Sequence, residues 1–596
     1  MTLAAAVRSD FILAGGPQAA QWLARRQDFR LHGDHGGRLH LAVRGMPQQG
    51  ATASGGRWLA LADLIEGRLE DAAGDADGFP QKRWRGRFAY ADWRDDSDAI
   101  RVFTDHFGSL PLYWYQRDGH YAVASDLRLL LDAPGVRREP DPTAVYHYLN
   151  FTCIPAPLTI CRDIQRVEPG TRLTLGAAGN RCERYYLPEY PADLHGSDAQ
   201  LAGELRERII ATVQDFRPHA DEGWGCFLSG GTDSSSIVSI LARQGGAQVQ
   251  SCSIGFPEAG YDELDFARLA GEACGARPHL AQVDHHRALG LLDSVIEAYD
   301  QPFGNASAVP TLACAELGHS HRFSLMLGGD GGDEIFGGNQ RYAKDKVMET
   351  FYGLPSPLKA AARALGNAVG GGNNHLLNRV RNFTRRASLP NPDRFYTDDS
   401  FASDYYDELL TPELRRQVGR DASLEFMRGL YATGSAAEPL HRIMRLDLLM
   451  AIAQNDLVKV HRACKQHGVS ARFPYLDPAL VEYCGRLAAN YKVRGLNKRF
   501  LFKQAMADIL PQEILRKRKQ GFGLPIAIWM KDDAALQARV RDVLLDERTR
   551  QRGWVNPEFI EQLVELHMAG GWDHSNAIWQ LLVLELWMRS HMDAPR

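Results

Sequence analysis

The sequence predicts an α/β protein in two parts: a β-rich α+β domain over residues 1–190, then a doubly wound parallel-sheet domain over 191–596 with a helical C-terminal portion. Three textures predict it. Short β-like runs punctuated by Asp, Gly and Pro fill the first part. From Leu201 onward apolar strands alternate with helical patterns, the signature of a parallel sheet. After about residue 400 helical patterns dominate.

In chain order, RLHLAV, GRFAYADW, IRVFTD, PLYWYQ and HYAVAS are the N-terminal strand candidates. The segment LPEYPADLHGSDAQ, with two prolines and a glycine, reads as the linker. GCFLS then leads into DSSSIVSILAR, QVQSCSIGF precedes DELDFARLAGEA, and FSLMLGG runs into a second Gly-rich loop. VGGGNN near residue 370 reads as a mobile surface loop, and no internal repeat is present.

Composition narrows the function classes. A formal net charge of -4 excludes a global field drawing the chain to nucleic acid, and 44% apolar with 24% charged residues is ordinary for a soluble protein. The nine cysteines form no CxxC pair and most sit in apolar settings such as GWGCFL and VEYCGRL, so they read as small buried hydrophobes in a reducing compartment. The start, MTLAAAVRSDFILAGG, is broken by Arg8 and Asp10 and makes a poor signal peptide; no later run is long enough to span a bilayer. The expected location is the cytoplasm, with no membrane partner.

Chemistry concentrates in two loops. FLSGGTDSSSIVSIL (227–241) places Gly230 and Gly231 between an apolar strand, Trp224–Leu228, and an apolar helical pattern from Ser234. Such a turn aims backbone N–H groups and a helix N-terminus at an anion, and the hydroxyls of Ser229, Ser234 and Ser235 add donors. It lacks the lysine of a Walker A loop. Asp233 would repel phosphate unless it holds magnesium; the alternative is a helix start with Asp or Ser as cap. The second loop, LMLGGDGGDEIFGG (325–338), sets Asp330, Asp333 and Glu334 among glycines after another apolar run. Two acidic Gly-rich loops at strand ends suit a nucleotide with a divalent metal at the edge of a doubly wound sheet.

Here the chain resembles a known family. SGGTDSS is similar to the pyrophosphate loop of ATP pyrophosphatases, and LGGDGGDEIFGG to the second signature of the asparagine-synthetase superfamily. The likeness continues through SIGF, YDQPFGNASAVPT, NDLVKVHRA, ARFPYLDPALVEY, KRKQGFGLP and NAIWQLLVLELWMR, in family order over most of 200–590. GRFAYADW, TDHFGSLPLYW and YLNFTCIPAPLTICRDIQRVEPG resemble the glutaminase half of the same enzymes.

The resemblance implies ATP and Mg2+ as cofactors, attack of a substrate carboxylate on the α-phosphorus, loss of pyrophosphate, and amide formation with release of AMP. It implies Asp233 and Asp333 as magnesium ligands, Asp330 near the attacking amine, and Lys519 on the leaving pyrophosphate. It implies Ile254 and Gly329 beside adenine and ribose; Leu228 lies near them, with a core role equally open.

Departures from the pattern bear on the amine. The glutamine-dependent enzymes carry a nucleophilic cysteine after the initiator methionine; here that residue is Thr2, the next cysteine is Cys153, and the glutamine-binding stretches read RLHLAVRGM and GGRWLALADL. The glutaminase-like domain is therefore expected to be degenerate. The usual KVDRA reads KVHRA, with His461 for an acid, and Ser470 stands where glutamate is usual. Family members without the cysteine, the lasso-peptide cyclases, β-lactam synthetases and carbapenam synthetases, join a carboxylate to an amine of the same substrate, where effective molarity replaces delivered ammonia. Chain length and the extra sequence near 340–440 favour a lasso-peptide macrolactam synthetase acting on an Asp or Glu side chain of a precursor peptide. A leader peptidase and a leader-binding protein are then implied partners. A β-lactam-type or ammonia-dependent asparagine synthetase, and an inactive peptide-binding scaffold, are the alternatives.

Overall fold

The computed structural model describes residues 7–35, 38–51, 56–73, 83–218, 222–245, 248–258, 261, 264–369, 375–436, 438–516 and 524–594. Thr2, the VGGGNN glycines 370–372 and Lys519 lie outside them.

Two six-stranded antiparallel sheets build the N-terminal domain. One has the order Gln165–Arg166, Tyr113–Arg117, His120–Ala124, Asp10–Gly15, Leu39–Arg44, Arg30–His35. The other has the order Gly179–Arg184, Thr171–Gly176, Ile100–Thr104, Arg85–Arg94, Gly56–Glu66, Gln48–Ala51. Side chains alternate across a strand, and the central strand Asp10–Gly15 uses both faces. Phe11 and Leu13 pack with Leu59, Ala91, Trp93 and Val102 between the sheets. Ile12 and Ala14 belong to the core that includes the helix Pro142–Phe151 and continues into the second domain. That helix starts on Pro142 under an Asp141 cap accepting from Ala144 N at 2.9 Å, and Tyr148 donates to Gln580 O at 2.7 Å.

The expected linker is docked along the helical portion. Tyr190 is buried and bridges to Ala436, Leu194 bridges to Leu487, and Ser197 caps the helix Asp198–Asp215.

The second domain is a five-stranded parallel sheet flanked by helices. In chain order come β1 (Trp224–Phe227), α1 (Thr232–Arg243), β2 (Gln250–Gly255), β3 (Arg277–Gln282), α2 (His285–Ala298), β4 (Leu325–Leu327) and α3 (Gly332–Phe336). After several helices follow α4 (Leu457–His467), β5 (Ser470–Arg472), α5 (Phe500–Ala505), α6 (Ile526–Asp532) and α7 (Ala534–Leu544). The spatial order is β3-β2-β1-β4-β5, every pair parallel. Direction of strand addition reverses at β1, so the loops leaving β1 and β4 open side by side at the switch point, where open α/β sheets bind ligands. The edge strand β5 lies within the region where helical patterns dominate the sequence. Three residues are too few to show a period, and β5 exists because Ser470 N bonds Ser324 O at 2.8 Å in a sheet already built.

Buried ion pairs weld the domains. Arg472 of β5 takes Asp63 at 2.7 and 2.8 Å, Lys465 takes Asp10 at 2.6 Å, and Arg85 takes Asp477 at 2.6 Å. Arg462 on α4, 1% exposed, bonds Asp126 at 3.1 Å and also Asp300. Removing one partner strands a buried charge, which costs about 3 kcal/mol. Asp63→Ala takes the paired carboxylate from buried Arg472 and is therefore expected to lower stability by about that amount in chemical denaturation. An unchanged midpoint contradicts the weld.

Candidate active site

The site grows from the register of β1 on β4. Cys226 stands opposite Leu327, so the two chains leave the sheet together. The first loop turns at Gly230, whose φ of +69° is a left-handed conformation, and Gly231 starts α1. Ser229 and Ser234 approach each other, Oγ to Oγ at 3.3 Å, and Gly231 N donates to Ser229 Oγ at 3.3 Å. This leaves a ring of hydroxyls and helix N-terminal N–H groups at the loop mouth. Ser235 does not join it. Its side chain is fully buried and faces the Cys274 thiol. The residue one step along a helix points about 100° away, so the expected third donor hydroxyl is turned inward.

The second loop meets the first through missing side chains. A Cβ on Gly332 would stand 2.6 Å from Asp233 Cγ, and one on Gly329 would stand 2.9 Å from Ser234 N. Glycine at these positions lets Asp233, in the first turn of α1, and Asp333, in α3, converge. Arg499 joins them. Its guanidinium bonds both Asp233 oxygens at 2.5 Å and reaches Asp333 Oδ1 and Thr232 Oγ1. Burial opposes its charge, but the two carboxylates outweigh burial and hold the Arg499 guanidinium above its ordinary range. Sequence reasoning missed this residue; its one local signal is a basic NKR run ahead of α5, which reads as a solvated face.

The donor set fits a divalent metal. Two carboxylates close enough to share one guanidinium present hard oxygen ligands, the kind magnesium takes, in a glycine cradle that a methyl group would fill.

Asp330 belongs to the same loop as Asp333 and feels the charge of Asp233. Burial first, and Asp456 second, push its carboxyl up to about 6; Lys459 pulls the other way. Asp456 ends a π-helical stretch, Leu448–Asp456, and is bonded by Lys459 at 2.5 Å. Tyr475, just after β5, packs edge-on to Phe336 of α3, bonds Ser236 of α1 and reaches Asp233 O at 3.4 Å, tying a third loop to the cradle. Leu228 and Ile254 are buried in the core at the ends of β1 and β2, with Ser253 Oγ donating to Leu228 O at 2.5 Å.

Two residues flagged by departures are also placed. His461 Nδ1 lies 2.9 Å from Nη2 of Arg87, which comes from the N-terminal domain; burial and that guanidinium drive His461 well below its usual range, so it is neutral. It serves the domain junction. Ser470 is buried in β5.

Of the N-terminal domain's cysteines, Cys182 in the strand Gly179–Arg184 is exposed, whereas Cys153 and Cys161 are buried. Cys153 is buried and its thiol is pushed up to about 12 by burial. Asp10 heads the central strand and is engaged by Lys465 and Arg44.

A parallel sheet whose paired acidic loops open at its switch point defines a nucleotide-dependent α/β enzyme. Residues 204–589 match the family described as asparagine synthase, and residues 79–186 match a glutamine amidotransferase domain. The chain belongs to the asparagine synthase family and is an ATP-dependent amide ligase of the asparagine-synthetase kind. It is similar to a glutamine-hydrolysing asparagine synthetase of Bacillus subtilis, 25% identical over 504 residues, covering 84% of this chain and 77% of that one. A putative asparagine synthetase of Mycobacterium bovis is 28% identical over 517 residues, 85% of this chain and 76% of that one. An amidase of Gibberella zeae is 22% identical over 513 residues, 79% and 74% of the two chains. No described helix is long and apolar enough to cross a membrane.

Proposed function

We propose that the enzyme adenylates an Asp or Glu side chain of a precursor peptide and closes it onto that peptide's own N-terminal amine, as a lasso-type macrolactam synthetase. One observation carries the reading: the acidic loops of the ATP half are in place, whereas the first cysteine of the chain, Cys153, is buried with its thiol near 12. An amine already in the substrate needs no delivery and gains the high effective molarity of an intramolecular reaction.

In this reading the N–H groups and hydroxyls of Ser229, Gly230, Gly231 and Ser234 hold the pyrophosphate portion of ATP. Asp233 and Asp333 hold magnesium, which when bound neutralises phosphate oxygens. Lys519 stabilises the charge on departing pyrophosphate. The substrate carboxylate oxygen bonds to the α-phosphorus as the bond to pyrophosphate breaks. The amine then attacks the acyl carbon, and AMP leaves. Asp330, with its carboxyl near 6, accepts the proton of the attacking ammonium. Ile254 and Gly329 border the adenosine. The helical region 340–440 shapes the peptide cavity, and a leader peptidase and a leader-binding protein supply the trimmed substrate.

The relatives favour a second reading, ammonia-dependent asparagine synthesis. Purified enzyme with ATP and magnesium is expected to release AMP with the peptide of a neighbouring short reading frame and not with aspartate plus ammonium. AMP from aspartate and ammonium, with none from the peptide, overturns the cyclase reading.

The proton-acceptor role has its own test. Turnover that needs Asp330 as carboxylate falls as pH drops through about 6. Asp456→Asn removes a repelling charge, so the acid limb of the pH–rate profile moves down by about one unit. A limb that stays in place contradicts the assignment.

A further inference from the structure

On elements other than the acidic loops, three ligating side chains from two parts of the chain converge. His285 and His286 open α2, and Asp533 occupies the turn between α6 and α7. One ligand atom from each lies within 4.8 Å of the other two. His285 Nε2 and Asp533 Oδ2 are 3.3 Å apart. Two ligands held about 2.05 Å from one tetrahedral zinc stand about 3.3 Å apart, so this edge is already at coordination distance.

The scaffold around the cluster is fixed independently. Asp284 caps α2, accepting from Arg287 N at 2.8 Å. Asp533 is buried, its N–H donates to Trp529 O at 2.8 Å, and its Oδ1 accepts from Leu536 N at 2.7 Å. The cap uses Oδ1 and leaves Oδ2 facing His285. About two turns further along α2, Asp293 meets Arg539 of α7 at 3.5 Å, so the two helices already lie side by side. His286 is exposed and its ring centroid is 4.1 Å from that of His285, which puts both imidazoles at the same mouth.

We propose that His285, His286 and Asp533 form a transition-metal site, with zinc as the preferred ion and solvent completing its coordination. Two imidazoles and one carboxylate suit zinc and disfavour magnesium, which seeks oxygen ligands. The site is separate from the Asp233–Asp333 pair in both place and metal preference. Its work is mechanical. A bound ion ties α2 to the turn that ends α6, and α6 is anchored beyond the end of β2 by Trp529, whose indole donates to Glu258 at 2.5 Å and packs on Phe256. The site thus staples the C-terminal helices to the sheet one turn from that anchor.

The test is zinc titration of chelator-stripped, full-length protein by calorimetry, with magnesium in excess to occupy hard-oxygen sites. Wild type is expected to take up one equivalent that both His286→Ala and His285→Gln lose, and zinc is expected to raise the melting temperature of wild type alone. His286 is exposed, so its replacement leaves the metal-free melting temperature unchanged. Equal zinc uptake by wild type and both variants, or none by wild type, overturns the site.

Discussion

The geometry of the nucleotide site depends on one buried arrangement: the Arg499 guanidinium held between Asp233 and Asp333. Two carboxylates brought this close in a poorly solvated cradle repel one another, and each would resist ionisation without a compensating charge. Arginine supplies that charge in a planar fork that can serve both at once. The glycines of the second loop allow the approach, and Arg499 makes it stable. A divalent ion is the other species that would do the same work, and it would compete with Arg499 for one pair of carboxylates.

The same logic of compensated buried charge ties the N-terminal domain to the ATP half. Asp10, Asp63 and Asp126 neutralise Lys465, Arg472 and Arg462, all close to β5 and α4. β5 is the edge strand of the sheet, and α4 follows the π-helical stretch that carries Asp456 toward Asp330. Positions within the ATP half are therefore set partly from the other domain. His461 belongs to this system: a neutral imidazole beside Arg87 accepts a hydrogen bond where an acid would have formed an ion pair.

Legibility followed sequence distance. The loops at 228–235 and 328–334 were readable because glycines, carboxylates and flanking strands lie within a dozen residues of each other. The strand–helix alternation and RLHLAV, GRFAYADW and HYAVAS were readable because periodicity is local. Arg499 was not, since its partner Asp233 lies 266 residues away. The raised Asp330 carboxyl was not either, because its cause is burial and Asp456 on a distant helix. Ser235 shows the opposite failure: a hydroxyl in the right loop, rotated into the core by helix geometry.

Magnesium titration of thermal stability in wild type and Arg499→Met probes the central claim most directly. Without metal the variant should melt below wild type, because the carboxylates have lost their counter-charge. Added magnesium should stabilise the variant more than wild type, since no internal cation competes for the pair. A variant as stable as wild type without metal, or equal gains from magnesium in both, would show that Asp233 and Asp333 do not form one cation site.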